Sequence, residues 1–189
     1  EKGIDGFFDK LKKITLIEVS QVHPDTASLF GKAGMLLKDI ETGSSLFHYN
    51  SKASGAALLP RLAPSAVHTA VTACAILGFR SLYFFGVDMG TVDPTRHHSK
   101  DSSYQYASEE YENRISINKK SECYKSNFGE KEVYSSGFYP MFKRELEAIV
   151  AGWKYTFQNK IDFYNCSDGA LLDGVEPLGA DSIACPDVD

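Results

Sequence analysis

Asp88 directly follows an apolar run, residues 81–87 (SLYFFGV), and opens a polar stretch that carries His97, His98 and Lys100. A carboxylate placed after a buried strand can accept from a ribose hydroxyl, hold Mg²⁺ beside a phosphate, or act as a base. It can equally fix its own loop through an Asx-type bond. His97, His98 and Lys100 form a small cationic cluster in a chain of net charge -5. Such a cluster can neutralise or protonate a leaving phosphate, with histidines close to the pH at which they switch. Zinc is disfavoured, because adjacent histidines point apart and no CxxC or HxxxH pattern accompanies them. Upstream, Ser65 opens an apolar segment. Its hydroxyl and the first-turn N–H groups that follow can hold a phosphate, since those donors lack intrahelical partners. The ordinary alternative is a Ser cap worth about 1 kcal/mol. His68 shares that turn, where a histidine is more often a packing or surface residue. Tyr104, Tyr106 and Tyr111 can stack on a base or a sugar, although loop tyrosines are commonly just exposed. Gly86, inside the apolar run, marks a close approach by backbone or ligand.

These residues need elements to position them. Residues 65–78 carry Ala66, Val67, Ala70, Val71, Cys74, Ile76 and Leu77, small and apolar types that suit a helix lying close on a sheet. Pro64 and Ser65 are start signals and Gly78 is a stop. Residues 81–87 then read as a strand buried on both faces, as in a parallel sheet. Residues 14–19 (ITLIEV) read as an earlier strand. Pro24, Asp25 and Thr26 form a turn and helix start with Asp25 as cap. Residues 34–40 fit strand or helix, and residues 46–49 fit a short strand. Residues 113–118 and 131–135, with turn chemistry at Asn127, Phe128 and Gly129, read as an antiparallel hairpin. Phe142, Leu146, Ile149, Val150, Trp153 and Phe157 recur at helical spacing over residues 138–157. Residues 161–164 are a short strand, and residues 165–169 (NCSDG) are the turn at its end.

Alternating strands and helices indicate an α/β sheet that is mostly parallel, with ligands at the carboxyl ends of strands. Polar turns begin at Asp88 and at Asn165; if their strands are neighbours, both face one pocket. Residues 1–178 are expected to form a single domain and residues 179–189 a loosely held tail. The 189 residues, 43% hydrophobic, suffice for a sizeable core. The acidic balance argues against a nucleic-acid partner held by bulk charge. No apolar run reaches membrane-spanning length. The four cysteines are widely separated, which fits reduced thiols in a cytoplasmic protein. Neither a GxGxxG fingerprint nor a P-loop is present. The DMG triplet at 88–90 matches a kinase DFG only by accident, without a Gly-rich loop or HRD motif.

LGFRSLYFFGVDMG followed by TVDPTRHH (residues 77–98) resembles the bacterial motility accessory factors, which are grouped with archaeal 6-hydroxymethylpterin diphosphokinases as the MptE-like domain. The resemblance also takes in SAVHTAVTACAI, NFGEKEVYSS, FYPMFKRELEAI and YNCSDGALLDGVEPL, and covers roughly residues 14–178. More loosely, GVDMG resembles the strand-end motif of bacterial sialyltransferases. The resemblance implies a Rossmann-like α/β domain with flanking helices and a small antiparallel hairpin. It implies a CMP-activated nonulosonic acid as donor and a protein acceptor such as flagellin. Its diphosphokinase branch implies instead ATP and a pterin alcohol, with Mg²⁺ on Asp88; no other cofactor is implied. A third reading is a nucleotide- or flagellin-binding accessory domain without turnover.

By position, Ser65 matches the family's nucleotide-contacting turn and Asp88 its strand-end aspartate. His97 or His98 matches a histidine after a TDG-like turn, and Asn165, Ser167 and Gly169 match an NxSxG-like turn. The catalytic set is then Asp88, His97 and His98. The substrate-facing set is Ser65, His68, Gly86, Lys100, Tyr104, Asn165 and Ser167. The leaving nucleotide phosphate would be stabilised by the helix start and by one of the two histidines. The family's opening GxGPSL turn has no counterpart here. With the Glu1 start, that suggests either a fragment lacking the first part of the domain or a degenerate member.

Overall fold

The structure is a computed structural model and describes residues 8–19, 23–38, 58–59, 65–93 and 121–183. The chain divides into two compact units, Glu1–Leu62 and Ala63–Asp189.

In the first unit, α1 (Phe8–Leu11) leads into β1 (Thr15–Val19). β1 runs parallel to β2 (Lys32–Lys38), with Thr15 opposite Lys32 and Val19 opposite Leu36. β3 (Leu58–Leu59) adds in parallel on the other edge of β2. Of the stretch 34–40 that fitted strand or helix, residues 34–38 are strand, paired on both sides, and residues 39–40 lie outside the described residues. Between β1 and β2, α2 (Pro24–Ser28) is capped by His23 and not by Asp25. The His23 Nδ1 accepts from the Asp25 N–H at 3.3 Å. Pro24 takes the first helical position, where its missing N–H costs nothing, so Asp25 falls one place too late to cap.

In the second unit, α3 (Ala66–Leu77) ends at Gly78, whose φ of 101° closes the helix in the left-handed region that glycine enters without strain. β4 (Ser81–Phe84) follows. It is shorter than the apolar run suggested, because Gly86 at φ 68° turns the backbone out of the sheet. β4 buries one face only: Leu82 and Phe84 are core, whereas Tyr83 is 42% exposed. β5 (Glu122–Lys125) and β6 (Glu132–Ser135) form the antiparallel hairpin, with Glu122 opposite Ser135. The partner of β6 is thus residues 122–125; residues 113–118 lie outside the described residues, as do 46–49. α4 (Tyr139–Thr156) carries the predicted apolar stripe. β7 (Asp162–Asn165) pairs in parallel with β4, and β8 (Glu176–Pro177), not foreseen from the sequence, pairs in parallel with β7. Beyond it, Ala180–Ser182 forms a 3₁₀ turn, and residues 184–189 lie outside the described set.

The architecture is mixed helix and sheet, mostly parallel, with one small antiparallel hairpin. Helices and strands of the second unit share one core. Val71 and Ala75 of α3 and Leu146, Ile149, Val150 and Trp153 of α4 cluster with Leu82, Phe84, Ile161 and Phe163. Burying each large side chain in that cluster contributes about 1.5–3 kcal/mol. Among the described residues, no helix is long and apolar enough to cross a membrane, and Cys74, Cys123 and Cys166 are free thiols.

Candidate functional site

β4 and β7 are hydrogen-bonded neighbours, so the polar turns at their carboxyl ends come together. Between them lies a cavity of about 280 Å³ lined by Asp88, Gly90, Thr91, Val92, Val133, Asp168 and Gly169. Its walls are locked at close range. The Ala170 N–H donates to the Asp88 carbonyl at 2.8 Å. A Cβ on Gly169 would lie 2.2 Å from the Asp88 Cα, so only glycine lets the two strand ends approach this far. Gly90 is pressed in the same way against the Tyr134 carbonyl, 2.7 Å from where its Cβ would be.

The two carboxylates of the cavity are held differently. Asp168 Oδ2 accepts from Lys131 Nζ at 3.0 Å, and that bond holds the carboxyl below its ordinary pKa. The Asp88 carboxyl receives no hydrogen bond from a described residue. Asp88 is an exposed residue, so the shift is modest: partial shielding from water, and then the charge of Asp168, push the carboxyl above its ordinary value. A carboxylate left free and made more basic is suited to accepting from a ligand hydroxyl. Both carboxylates disfavour direct contact with a phosphate. Mg²⁺ is commonly held by one or two carboxylates together with substrate phosphates. Asp88 fits that pattern only for an ion arriving with its substrate. Among the described residues, no group of three or more His, Cys, Asp or Glu side chains is placed to hold a metal.

Beside the cavity, Gly86, Asn165 and Ser167 bond to one another. The Gly86 N–H donates to Ser167 Oγ at 2.9 Å, and that hydroxyl donates to Asn165 Oδ1 at 3.2 Å. These side chains lash the end of β4 to the turn after β7, and none of the three lines the cavity. Met89, between Asp88 and Gly90, sits at φ 52°. For a residue with a Cβ, such a conformation costs about 1–3 kcal/mol and persists only where the surroundings hold it.

Ser65 and His68 stand at the start of α3 and do not line the cavity. Ser65 occupies the cap position without making a cap bond. Its hydroxyl instead meets His68 Nδ1 at 2.5 Å. The Nε2 of His68 lies 2.9 Å from the Phe142 carbonyl, so Nε2 carries the proton and Nδ1 accepts from Ser65. His68 is fully buried, and that burial pulls its pKa down. Both ring nitrogens are spent on joining α3 to α4, and neither is free for a ligand. The Ser65 side chain thus leaves the first-turn N–H groups of α3 uncapped. His97, His98, Lys100 and Tyr104, together with Tyr106 and Tyr111, lie outside the described residues.

Sequence reasoning brought the two turns together but passed over Asp168, which sits inside the NCSDG turn it had marked. A second carboxylate at the second strand end was the available signal. It also read Asn127 only as turn chemistry. Asn127 is 4% exposed, and its side-chain amide donates to the carbonyls of Asn165 (2.8 Å) and Ser167 (3.0 Å). Nothing in the local sequence separates such a residue from an ordinary turn asparagine.

No family model matches the chain, and no curated protein matches it either. Among solved structures, the chain is similar to a MAf glycosyltransferase from Magnetospirillum magneticum AMB-1, at 25% sequence identity and a TM-score of 0.65. The match covers 90% of this chain and 23% of that one, so the chain spans about a quarter of the length of its structural neighbour.

Proposed function

We propose that the chain belongs to a glycosyltransferase of the motility accessory factor type, Rossmann-like in design, that takes an acidic sugar from a CMP-activated donor. The observation that carries this reading is the cavity between the ends of β4 and β7, with the Asp88 carboxyl on its wall and not bonded by any described residue, in a chain that resembles a MAf glycosyltransferase over most of its own length.

The charges distribute the parts. Two carboxylates make the cavity a place for hydroxyls. In this reading Asp88 accepts from a hydroxyl of the donor ribose or of the acceptor and orients it. The phosphate of CMP falls instead to the uncapped start of α3 and to His97, His98 and Lys100. When the bond between the sugar carbon and the phosphate oxygen breaks, negative charge grows on that oxygen. A histidinium beside it stabilises or protonates the leaving group. The acceptor, a protein such as flagellin, supplies the attacking hydroxyl. His68 acts at one remove, by fixing α3 against α4.

The experiment is turnover of a CMP-nonulosonate, read as CMP release with and without acceptor. Asp88→Asn and His98→Ala are expected to lower the rate at least about tenfold, about 1.4 kcal/mol each in barrier, while the circular dichroism spectrum is kept. Full activity in both variants would place the site elsewhere. Mg²⁺-dependent AMP release from ATP and a pterin alcohol, with no CMP release, would replace this reading with a diphosphokinase.

A further inference from the structure

The strand ends alone do not form the cavity. Both loops that line it are tied to one third element, the β5–β6 hairpin. On the first side, the buried Ser135 hydroxyl donates to the Met89 carbonyl at 2.7 Å. Next to it, Thr91 and Tyr134 exchange backbone bonds of 2.9 and 2.8 Å. On the second side, Asn127 holds the Asn165 and Ser167 carbonyls with its side chain, and its N–H donates to the Gly169 carbonyl at 2.7 Å. The Leu171 N–H donates to the Lys125 carbonyl at 2.9 Å.

We propose that the hairpin is the positioning device of this site, with Ser135 setting the loop that carries Asp88 and Asn127 setting the loop that carries Asp168. The proposal rests on the reading that this cavity receives the sugar-nucleotide donor. Three features carry it. Met89 is in a left-handed conformation that a residue with a Cβ leaves unless held. Ser135, which holds it, is fully buried, so the Met89 carbonyl that loses this donor cannot turn to water instead. Asp88 is the residue immediately before it in the chain. Any relaxation of Met89 therefore reorients the peptide between them and moves the Asp88 carboxyl relative to Asp168. Asn127 is buried in the same way and grips the opposite wall at three carbonyls. Ser135 and Asn127 are positioning residues: neither lines the cavity.

Amide hydrogen exchange and CMP binding on the intact protein test this, in Ser135→Ala and Asn127→Ala. Val150→Ala, a core truncation within α4, serves as the destabilised control. Ser135→Ala is expected to speed exchange of the Thr91 and Ala170 amides about tenfold more than that of the α4 amides. CMP should bind it about tenfold more weakly. Asn127→Ala should do the same, with its largest exchange effect at Ala170 and Leu171. Val150→Ala should lower the melting temperature while leaving the ratio of loop to helix exchange, and the affinity for CMP, as in the parent. Exchange raised equally across loops and α4, or loops loosened with CMP affinity unchanged, would overturn the proposal. If one alanine variant fails to fold, the other decides. A parent protein that binds no CMP would defeat the donor reading alone, and the exchange ratios would still decide whether the hairpin holds the loops.

Discussion

Asp88 and Asp168 line one cavity but are pushed in opposite directions, and the difference has measurable consequences. The Asp88 carboxyl binds its proton more tightly in the fold than in the unfolded chain, where 3.8 is the reference value. Its contribution is therefore most favourable below 3.8 and is lost as pH rises through the folded pKa. Asp88→Asn should accordingly be slightly more stable than the parent at neutral pH, with the gap closing in acid, as urea midpoints across pH would show. Asp168 behaves in the reverse sense. The stability it gains from Lys131 is present above 3.8 and disappears as pH falls through its lowered folded pKa. His68 is the third case. Its folded pKa lies below 6.5, so its contribution is complete above 6.5 and is lost as pH falls toward the folded value. His68→Ala removes two buried hydrogen bonds and leaves a cavity, at an expected cost of about 2–4 kcal/mol with the acid-side slope flattened. Gly169→Ala places a methyl 2.2 Å from the Asp88 Cα. It should cost about 1–3 kcal/mol as overpacking and displace Asp88. An unchanged melting temperature in Gly169→Ala would show that the strand ends are not in the contact described.

Among the elements, α4 does most to hold the second unit together. Leu146 is fully buried in its stripe. Leu146→Ala should cost about 2–5 kcal/mol by chemical denaturation, whereas removal of the exposed, water-screened Arg144–Glu122 pair should leave the denaturation midpoint nearly unchanged. α4 was legible in the sequence because helical spacing is a local signal, and α3 because Ser65 and Gly78 bracket it. The strand β4 was legible in type but not in length or burial. Its run of apolar letters continues through Phe85, which is 60% exposed, to Gly86, where the chain turns out. Composition cannot say which of the five hydrophobic residues in this run face solvent. The hairpin was found through its turn and its second strand. Its first strand, Glu122–Lys125, is short, bounded by charged residues and almost wholly exposed, so it gives little apolar signal. β8 is two residues long and includes a proline, so its pairing with β7 comes from position beside the sheet and not from propensity.

At the scale of the whole molecule, topology made the site legible. Two parallel strands ending in polar turns must present those turns on the same edge if they are neighbours, and β4 and β7 are. The individual bonds at that edge were not legible, because they join residues far apart in sequence. Ser135 reaches Met89 across 46 positions, and His68 reaches Phe142 across 74. The acidic net charge of -5 has a consequence at this scale. Under the proposed reading, an anionic donor would gain no general electrostatic attraction from this chain, so its binding would come from local hydrogen-bond donors and should weaken steeply when any of them is removed. Binding of CMP, compared with ATP, measures this most directly. A ligand that binds the folded protein alone raises its stability by about 2.7 kcal/mol at a hundred times its dissociation constant. Titration calorimetry paired with thermal melting should show CMP binding the protein and raising its melting temperature more than ATP does, with the shift reduced in Asp88→Asn. Equal shifts for the two nucleotides, or none for CMP at millimolar concentration, would contradict the account.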